Sequence, residues 1–311
     1  MMKNNLLKYF LLAFIIIGCD SGSEKESPTK GTLKLLVSET VAPLANGLAE
    51  RFEHLYTDAN IEVQSTSARE AVAFLLTDSV ELIIISRELT QGEQDLITKH
   101  ELNIHPHEIA KSGFMLIVND NNPIKGLRIS QLDSIYDGKL KYWKDLGWKG
   151  SLSKLQFYLP GRNSDVYDYS VTKFSNTKSL PDNFFTVPVV DSVIDIVASH
   201  PNAIAMLGLN YYDKSYKNIK FLELSDKSEV TDSLGISGIY FPPEQAYVYR
   251  EHYPLRVPVY IYSNIKSVGL ASGFVSFASS VQGQKVVQNN RLVPATMPVR
   301  IIQLNKEEKK Q

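Results

Sequence analysis

Leu33-Lys-Leu-Leu-Val37, Ser38-Glu39-Thr40 and Val41-Ala-Pro-Leu-Ala-Asn-Gly-Leu-Ala-Glu-Arg-Phe52 decide the fold class. A short apolar run ends in small hydroxyl residues, and apolar residues then recur at 41, 44, 45, 48, 52 and 55. The pattern predicts a buried strand that turns into an amphipathic helix. Pro43 suits a first helical turn, where a missing N–H costs nothing, and Ser38 or Thr40 can cap the free amides. Exposed N–H groups, hydroxyls and the positive end of a helix dipole together make an anion site. An ordinary capped strand-to-helix turn explains the same residues.

The chain has 311 residues and a formal charge of −1, with 22% charged residues. That length holds one large or two medium α/β domains with ample core. The balanced charge gives no basic field for nucleic acid. Any anion binding must therefore be local.

Lys3 and Lys8 flank a short start segment, residues 11–17 are apolar, and Gly18-Cys19 follows. The apolar run is too short to span a bilayer and reads as a signal peptide over residues 1–18. Ile16-Ile17-Gly18-Cys19 resembles a bacterial lipobox, whose cysteine carries the lipid; a chance cysteine is the alternative. Cys19 is the single cysteine, so no intrachain disulfide forms and packing alone holds the fold. Residues 19–30 are polar and read as a tether. The charged end from Asn305 reads as a solvated tail.

Two more strand-to-helix units follow. Ile61–Gln64 leads through Ser65-Thr66-Ser67 into a helical pattern at Ala71, Val72, Phe74, Leu75 and Leu76. Leu82-Ile-Ile-Ile85 reads as a fully buried parallel strand, followed by Ser86-Arg87 and by Thr90-Gln-Gly-Glu93, a capping box. Three successive strands thus bring hydroxyls to their carboxyl ends, where open α/β sheets bind ligands. His105 and His107 lack a third ligand at metal spacing and read as solvated or capping groups. Gly113–Val118 is a strand, Ser130 to Tyr136 a short helix, and the tryptophans, Trp143 and Trp148, suit packing better than a ligand platform. Leu155–Leu159 is a strand, the loop Pro160–Asp165 carries Arg162 and Ser164, and a helix is expected over Val166–Phe174. Arg162 offers a bidentate fork to an oxyanion, or is a surface residue. A helix from Asp191, strands at Ala203–Leu207 and Ile219–Glu223, a crossover strand within Tyr253–Tyr262 and two closing helices complete the chain.

In order along the chain, SETVAPLA, ELIIISRELTQGE, IVNDNNPI with QLDSIYDGK and YWKDLG, YPLRVPVYIYSN, and FVSFASSVQGQKVV with LVPA resemble successive motifs of the phosphate-binding proteins of ABC transporters. The resemblance runs over roughly residues 33 to 296. It implies a type II periplasmic binding protein fold: two α/β lobes with a ligand cleft between them, joined by two crossover strands near Ile109–Leu116 and Val257–Tyr262. Lobe 1 would comprise 31–112 and 258–311, and lobe 2 would comprise 113–257. The function implied is capture of phosphate or a related oxyanion and delivery to permease subunits, by a monomeric lipoprotein of the cell envelope, periplasmic or at the cell surface. A binding-protein fold turned into an interaction or sensing module is the alternative. No catalytic residue, metal or cofactor is expected: the sequence has no nucleophile elbow, metal set or P-loop.

The resemblance assigns ligand-binding roles to Ser38, Thr40, Ser67, Ser86, Arg87, Arg162 and Ser164, and Asp165, which departs from the family pattern, joins them as a candidate ligand contact. Where those proteins have Ser-Gly-Thr, this chain has Ser164-Asp165-Val166, and where they have Ala-x-Asp-Gly it has Ala110-Lys111-Ser112-Gly113. A lost hydroxyl removes a hydrogen bond worth about 1.5–3 kcal/mol. A carboxylate about 4 Å from an anion is repelled by about 4 kcal/mol per unit charge at an effective dielectric of about 20. Asp165 therefore matters more. It can accept a hydrogen bond from a P–OH group, repel bare oxygens, or point into solvent.

Overall fold

The computed structural model describes residues 27–148, 150, 154–175, 179–226 and 239–297. The expected signal peptide, Cys19, most of the tether and the charged tail lie outside them.

The opening stretch folds as strand β1 (Gly31–Ser38), a single 3-10 turn (Glu39–Val41) and helix α1 (Ala42–Leu55). Leu44, Ala45, Leu48, Ala49 and Phe52 form the buried stripe of α1, while Leu55, counted in the same periodicity, is 41% exposed at the last turn. β2 (Ala59–Thr66) runs parallel to β1 and leads to α2 (Ala68–Leu76). β3 (Leu82–Ile85) pairs parallel to the other side of β1 and is followed by α3 (Gln91–Lys99), opened by the expected Thr90/Glu93 capping box. Side chains alternate across a strand. Leu82 and Ile84 accordingly pack with α1 on one face, and Ile83 and Ile85 with α2 on the other. An unbroken apolar run is what a strand covered on both faces requires.

β4 is longer than the sequence suggests. It runs as one strand from His105 to Asn119. β5 (Gly126–Arg128), α4 (Ile129–Tyr136), β6 (Gln156–Pro160), α5 (Asp165–Phe174), β7 (Phe184–Val187), α6 (Val190–Ser199), β8 (Ala203–Gly208), β9 (Ile219–Phe221) and β10 (Glu223–Ser225) follow. Then come a short helix α7 (Gln245–Tyr249), β11 (Arg256–Ser263), α8 (Leu270–Ser279), α9 (Val281–Asn289) and β12 (Val293–Pro294). The crossover strand thus starts three residues after Tyr253, which is buried with its hydroxyl donating to the Phe114 carbonyl at 2.9 Å. β7 has no counterpart in the sequence reading. Leu222 divides the expected strand at 219–223 into β9 and β10.

Among the described residues the main sheet has the order β2-β1-β3-β11-β4-β8-β6-β7, with β9 and β12 also on β4. β4 changes partner along its length. His105 to Gly113 pair with β11, whereas Phe114 to Val118 pair with β8. At the change a β-carbon on Gly113 would stand 2.6 Å from the Leu255 carbonyl oxygen, so only glycine lets the two chains pass. One apolar cluster gathers around β4's second part, β6 and β8, and two others sandwich β1 and β3. Trp143 belongs to the first cluster, its indole N–H donating to the Asn202 carbonyl at 2.9 Å. His107 sits on β4 with Nε2 3.0 Å from the Ser263 hydroxyl, and among the described residues no cluster suits a metal ion.

Candidate functional site

Three hydroxyls meet where β1 and β3 end. Ser38 is in extended backbone and makes no side-chain capping bond; Val41, not Thr40, stands before the first turn of α1. The expected caps are therefore absent, and the hydroxyls turn sideways instead. Thr40 Oγ1 is the hub, 3.1 Å from Ser38 Oγ and 2.7 Å from Ser86 Oγ. Thr40, Ser86 and Ser38 are all buried.

This hydroxyl group faces the first turn of α5, and the group on it is the carboxylate of Asp165. Thr40 Oγ1 donates to Asp165 Oδ2, Ser86 Oγ donates to the same oxygen at 3.1 Å, and the Ser86 N–H approaches it at 3.5 Å. Asp165 is 1% exposed. It points neither into solvent nor away from the hydroxyls; it sits in the position that the sequence reading gave to an external anion. Asp165 is the first residue of α5, with Ser164 as its N-cap accepting from Tyr167 N–H at 3.2 Å. A carboxylate there gains from the helix dipole.

Arg87 lies beside this contact, 5% exposed. Its fork grips Glu93 with two bonds of 2.8 Å, and Nη1 also donates to the Glu88 carbonyl at 2.8 Å. Nε stands 3.3 Å from Asp168 and 3.9 Å from Asp165 without a well-aligned hydrogen bond. Burial pushes the Glu93 carboxyl up, but the hydrogen bonds and charge of Arg87 outweigh it and hold Glu93 below the usual range. Glu39 is shifted the other way, raised first by burial and then by the charge of Asp165.

The other expected residues divide. Ser67 caps α2, accepting from Glu70 N–H at 3.4 Å. Arg162 is exposed, whereas Ser38, Thr40 and Ser86 are buried. The second arginine at this junction is Arg69, whose Nε donates to both Asp168 oxygens at 2.9 and 3.2 Å and whose backbone N–H donates to the Asn163 carbonyl at 3.3 Å. Arg69 and Asp168 escaped the sequence reading. Their signal was Asp165-x-x-Asp168, a spacing that puts two carboxylates on one helical face and calls for cations opposite. Four carboxylates (Glu39, Glu93, Asp165, Asp168) thus accompany two guanidiniums.

A family model for the PBP superfamily domain matches residues 22–281. The chain belongs to the PBP superfamily. Among curated relatives, the phosphate-binding protein PstS of Staphylococcus epidermidis is 26% identical over 86% of this chain and 80% of its own length. PstS of Pseudomonas aeruginosa is 27% identical over 87% and 85%. Among solved structures, one from Clostridium perfringens, assigned to substrate binding for phosphate ABC transport and containing phosphate, superposes with a TM-score of 0.69. It is 22% identical, and the match covers 85% of this chain and 99% of that one. That likeness supports the mixed α/β fold of this superfamily member, with no reach into chemistry. No described helix is long and apolar enough to cross a membrane.

Proposed function

We propose that this superfamily member is a non-enzymatic solute-binding protein that takes phosphate or a related oxyanion between its two halves and delivers it to an ABC permease. The observation that carries this reading is the hydroxyl group itself. Thr40 and Ser86, with the Ser86 N–H, converge on one anionic oxygen at the carboxyl ends of parallel strands, and Ser38 supports them through Thr40. Such an arrangement is an oxyanion receptor whatever the source of the oxygen, because hydroxyls and amides donate equally to a carboxylate and a phosphate. The relatives named for phosphate binding supply the choice of anion. Ligand-binding roles fall to Ser38, Thr40, Ser86 and Arg87, with Asp165 in the same place; Ser67, Ser164 and Arg162 have no such role in this arrangement. Division into lobes at residues 112/113 and 257/258 suits the change of β4 partner at Gly113.

Anchoring by lipid at Cys19, a monomeric state and residence in the cell envelope complete the proposal. Titration of the purified protein with phosphate in a calorimeter tests the binding: saturable heat at millimolar concentrations or below is expected, and none refutes it. Cys19→Ser should release the protein from the membrane fraction; an unchanged fractionation refutes the anchor. A second reading, an interaction or sensing module, is favoured by Asp165 filling the place of the anion. Under it the calorimeter stays silent.

A further inference from the structure

We propose that Asp165 is an internal competitor for the oxyanion site: its carboxylate occupies the hydroxyl group and holds the two halves of the molecule shut without ligand, so that an oxyanion enters only by expelling it. The inference rests on the oxyanion reading for its second half alone.

The contact crosses the molecule. The hydroxyls stand at the ends of β1 and β3, on one part of the sheet, and Asp165 starts α5, which packs on the other. Three further links run alongside it. Arg69 grips Asp168, the Arg69 N–H meets the Asn163 carbonyl, and Arg87 Nε lies 3.3 Å from Asp168. All of them join residues of the first part to residues 163–168. Opening the cleft breaks the whole set.

There is no room for a second anion. Ser86 reaches Asp165 directly at 3.1 Å, and Thr40 is closer still. A tetrahedral anion placed between them would need two hydrogen bonds where one now stands, so the carboxylate would have to retreat by at least about 2.7 Å. With Asp165 in place, full closure and an occupied site therefore exclude each other. The free protein is then the more closed one.

The internal contact is also incompletely satisfied. Thr40 and Ser86 have hydroxyl contacts with each other and with Asp165, and Ser38 adds one to Thr40, so three hydroxyl protons serve four contacts. Asp165 Oδ1 and Arg87 Nε are both buried and have no hydrogen-bond partner, 3.9 Å apart. A buried group left unpaired costs free energy that a better fit would recover. The contact holds the cleft shut, yet it leaves an advantage to an anion with more oxygens.

Distance measurement by electron paramagnetic resonance tests this. Spin labels go on Glu50→Cys in α1 and Asp195→Cys in α6, both exposed, in a full-length chain carrying Cys19→Ser so that no other cysteine is labelled. Without ligand the parent should give one short distance. Asp165→Ala should give a longer or bimodal one, and so should Thr40→Val/Ser86→Ala, which removes the same contact from the opposite side and guards against a local folding defect at α5. Added inorganic phosphate should return Asp165→Ala to the short distance and bind it at least tenfold more tightly than the parent. A parent as open as the variants, or variants as closed as the parent, overturns the competitor. If the variants open but phosphate binds none of the proteins, the internal contact stands and the phosphate reading falls.

Discussion

Glu93→Gln asks whether Arg87 is bound to an internal partner as tightly as the geometry implies. Glu93 receives both arms of the Arg87 fork at 2.8 Å and also accepts the Thr90 N–H at 2.7 Å. The paired side chains are 6% and 14% exposed, so solvent screens them little. Glutamine keeps one acceptor but turns an amide N–H toward the other guanidinium nitrogen. Two charge-assisted bonds become one, with a repulsive contact beside it. Removing one partner of a buried pair costs about 3–5 kcal/mol, and because glutamine keeps the shape the loss should be near about 3 kcal/mol at pH 7. With a urea dependence of about 3 kcal/mol per molar, the unfolding midpoint followed by circular dichroism should drop by about 1 M. The pH dependence sharpens the test. Glu93 is held below its ordinary 4.5 in the folded protein, so its stabilisation is complete above that value and disappears as pH falls through the lower, folded one. The gap between parent and Glu93→Gln should be full at pH 7, begin to close below pH 4.5, and be small once folded Glu93 is protonated. A gap below about 0.5 kcal/mol at pH 7, or one of equal size throughout the acid range, would refute the assignment.

Three further substitutions test residues outside the hydroxyl group. Arg162→Ala should leave phosphate affinity and the unfolding midpoint unchanged, within about 0.5 kcal/mol, because the side chain is exposed; a clear loss of calorimetric affinity would return Arg162 to the site. Ser67→Ala should lower stability by about 0.5–1 kcal/mol through the lost α2 cap, with no change in phosphate heat. Gly113→Ala should cost about 1–3 kcal/mol, since its new carbon would meet the Leu255 carbonyl at 2.6 Å and Leu209 Cδ1 at 3.0 Å; a midpoint equal to the parent's would mean that β4 and residue 255 can part freely.

The strands and helices of the first 100 residues were legible because each has one job. Leu82–Ile85 is apolar throughout since both faces are covered, and Thr90 with Glu93 forms the cap its spacing announces. β7 was missed because its strand, Phe-Phe-Thr-Val, is four residues long at what is, among the described residues, a sheet edge, where the pattern is short. At the site, residue types were legible but partners were not. Ser38, Thr40, Ser86 and Asp165 were all singled out, yet nothing in a linear chain says that a carboxylate from residue 165 closes on hydroxyls from residues 40 and 86. Arg162 and Arg69 illustrate the same limit, because a loop arginine and one in the first turn of a helix look alike until the opposing carboxylates are placed. Glu93 had a complete local explanation as a cap, which hid its grip on Arg87. One consequence is practical. Arg87→Ala would leave Glu93, Asp165 and Asp168 with one less buried cation among them, so lost binding in that variant would report a disrupted interface as readily as a lost ligand contact.

The division of β4 between two partners also sets an order of assembly. The partners of its second part, β8 and β9, lie between residues 203 and 221, ahead of the last strands of the chain. The partners of its first part, β11 and β12, begin only at Arg256, and the apolar cluster that β11 joins needs α8 and α9 as well. During synthesis from the amino end, the later-made portion can therefore finish first. Leu82–Ile85, an aggregation-prone apolar strand, must wait through more than half the chain for the neighbour that covers its open edge. Slow, long-range closure of this kind gives a chaperone or an export pathway its longest opportunity to act.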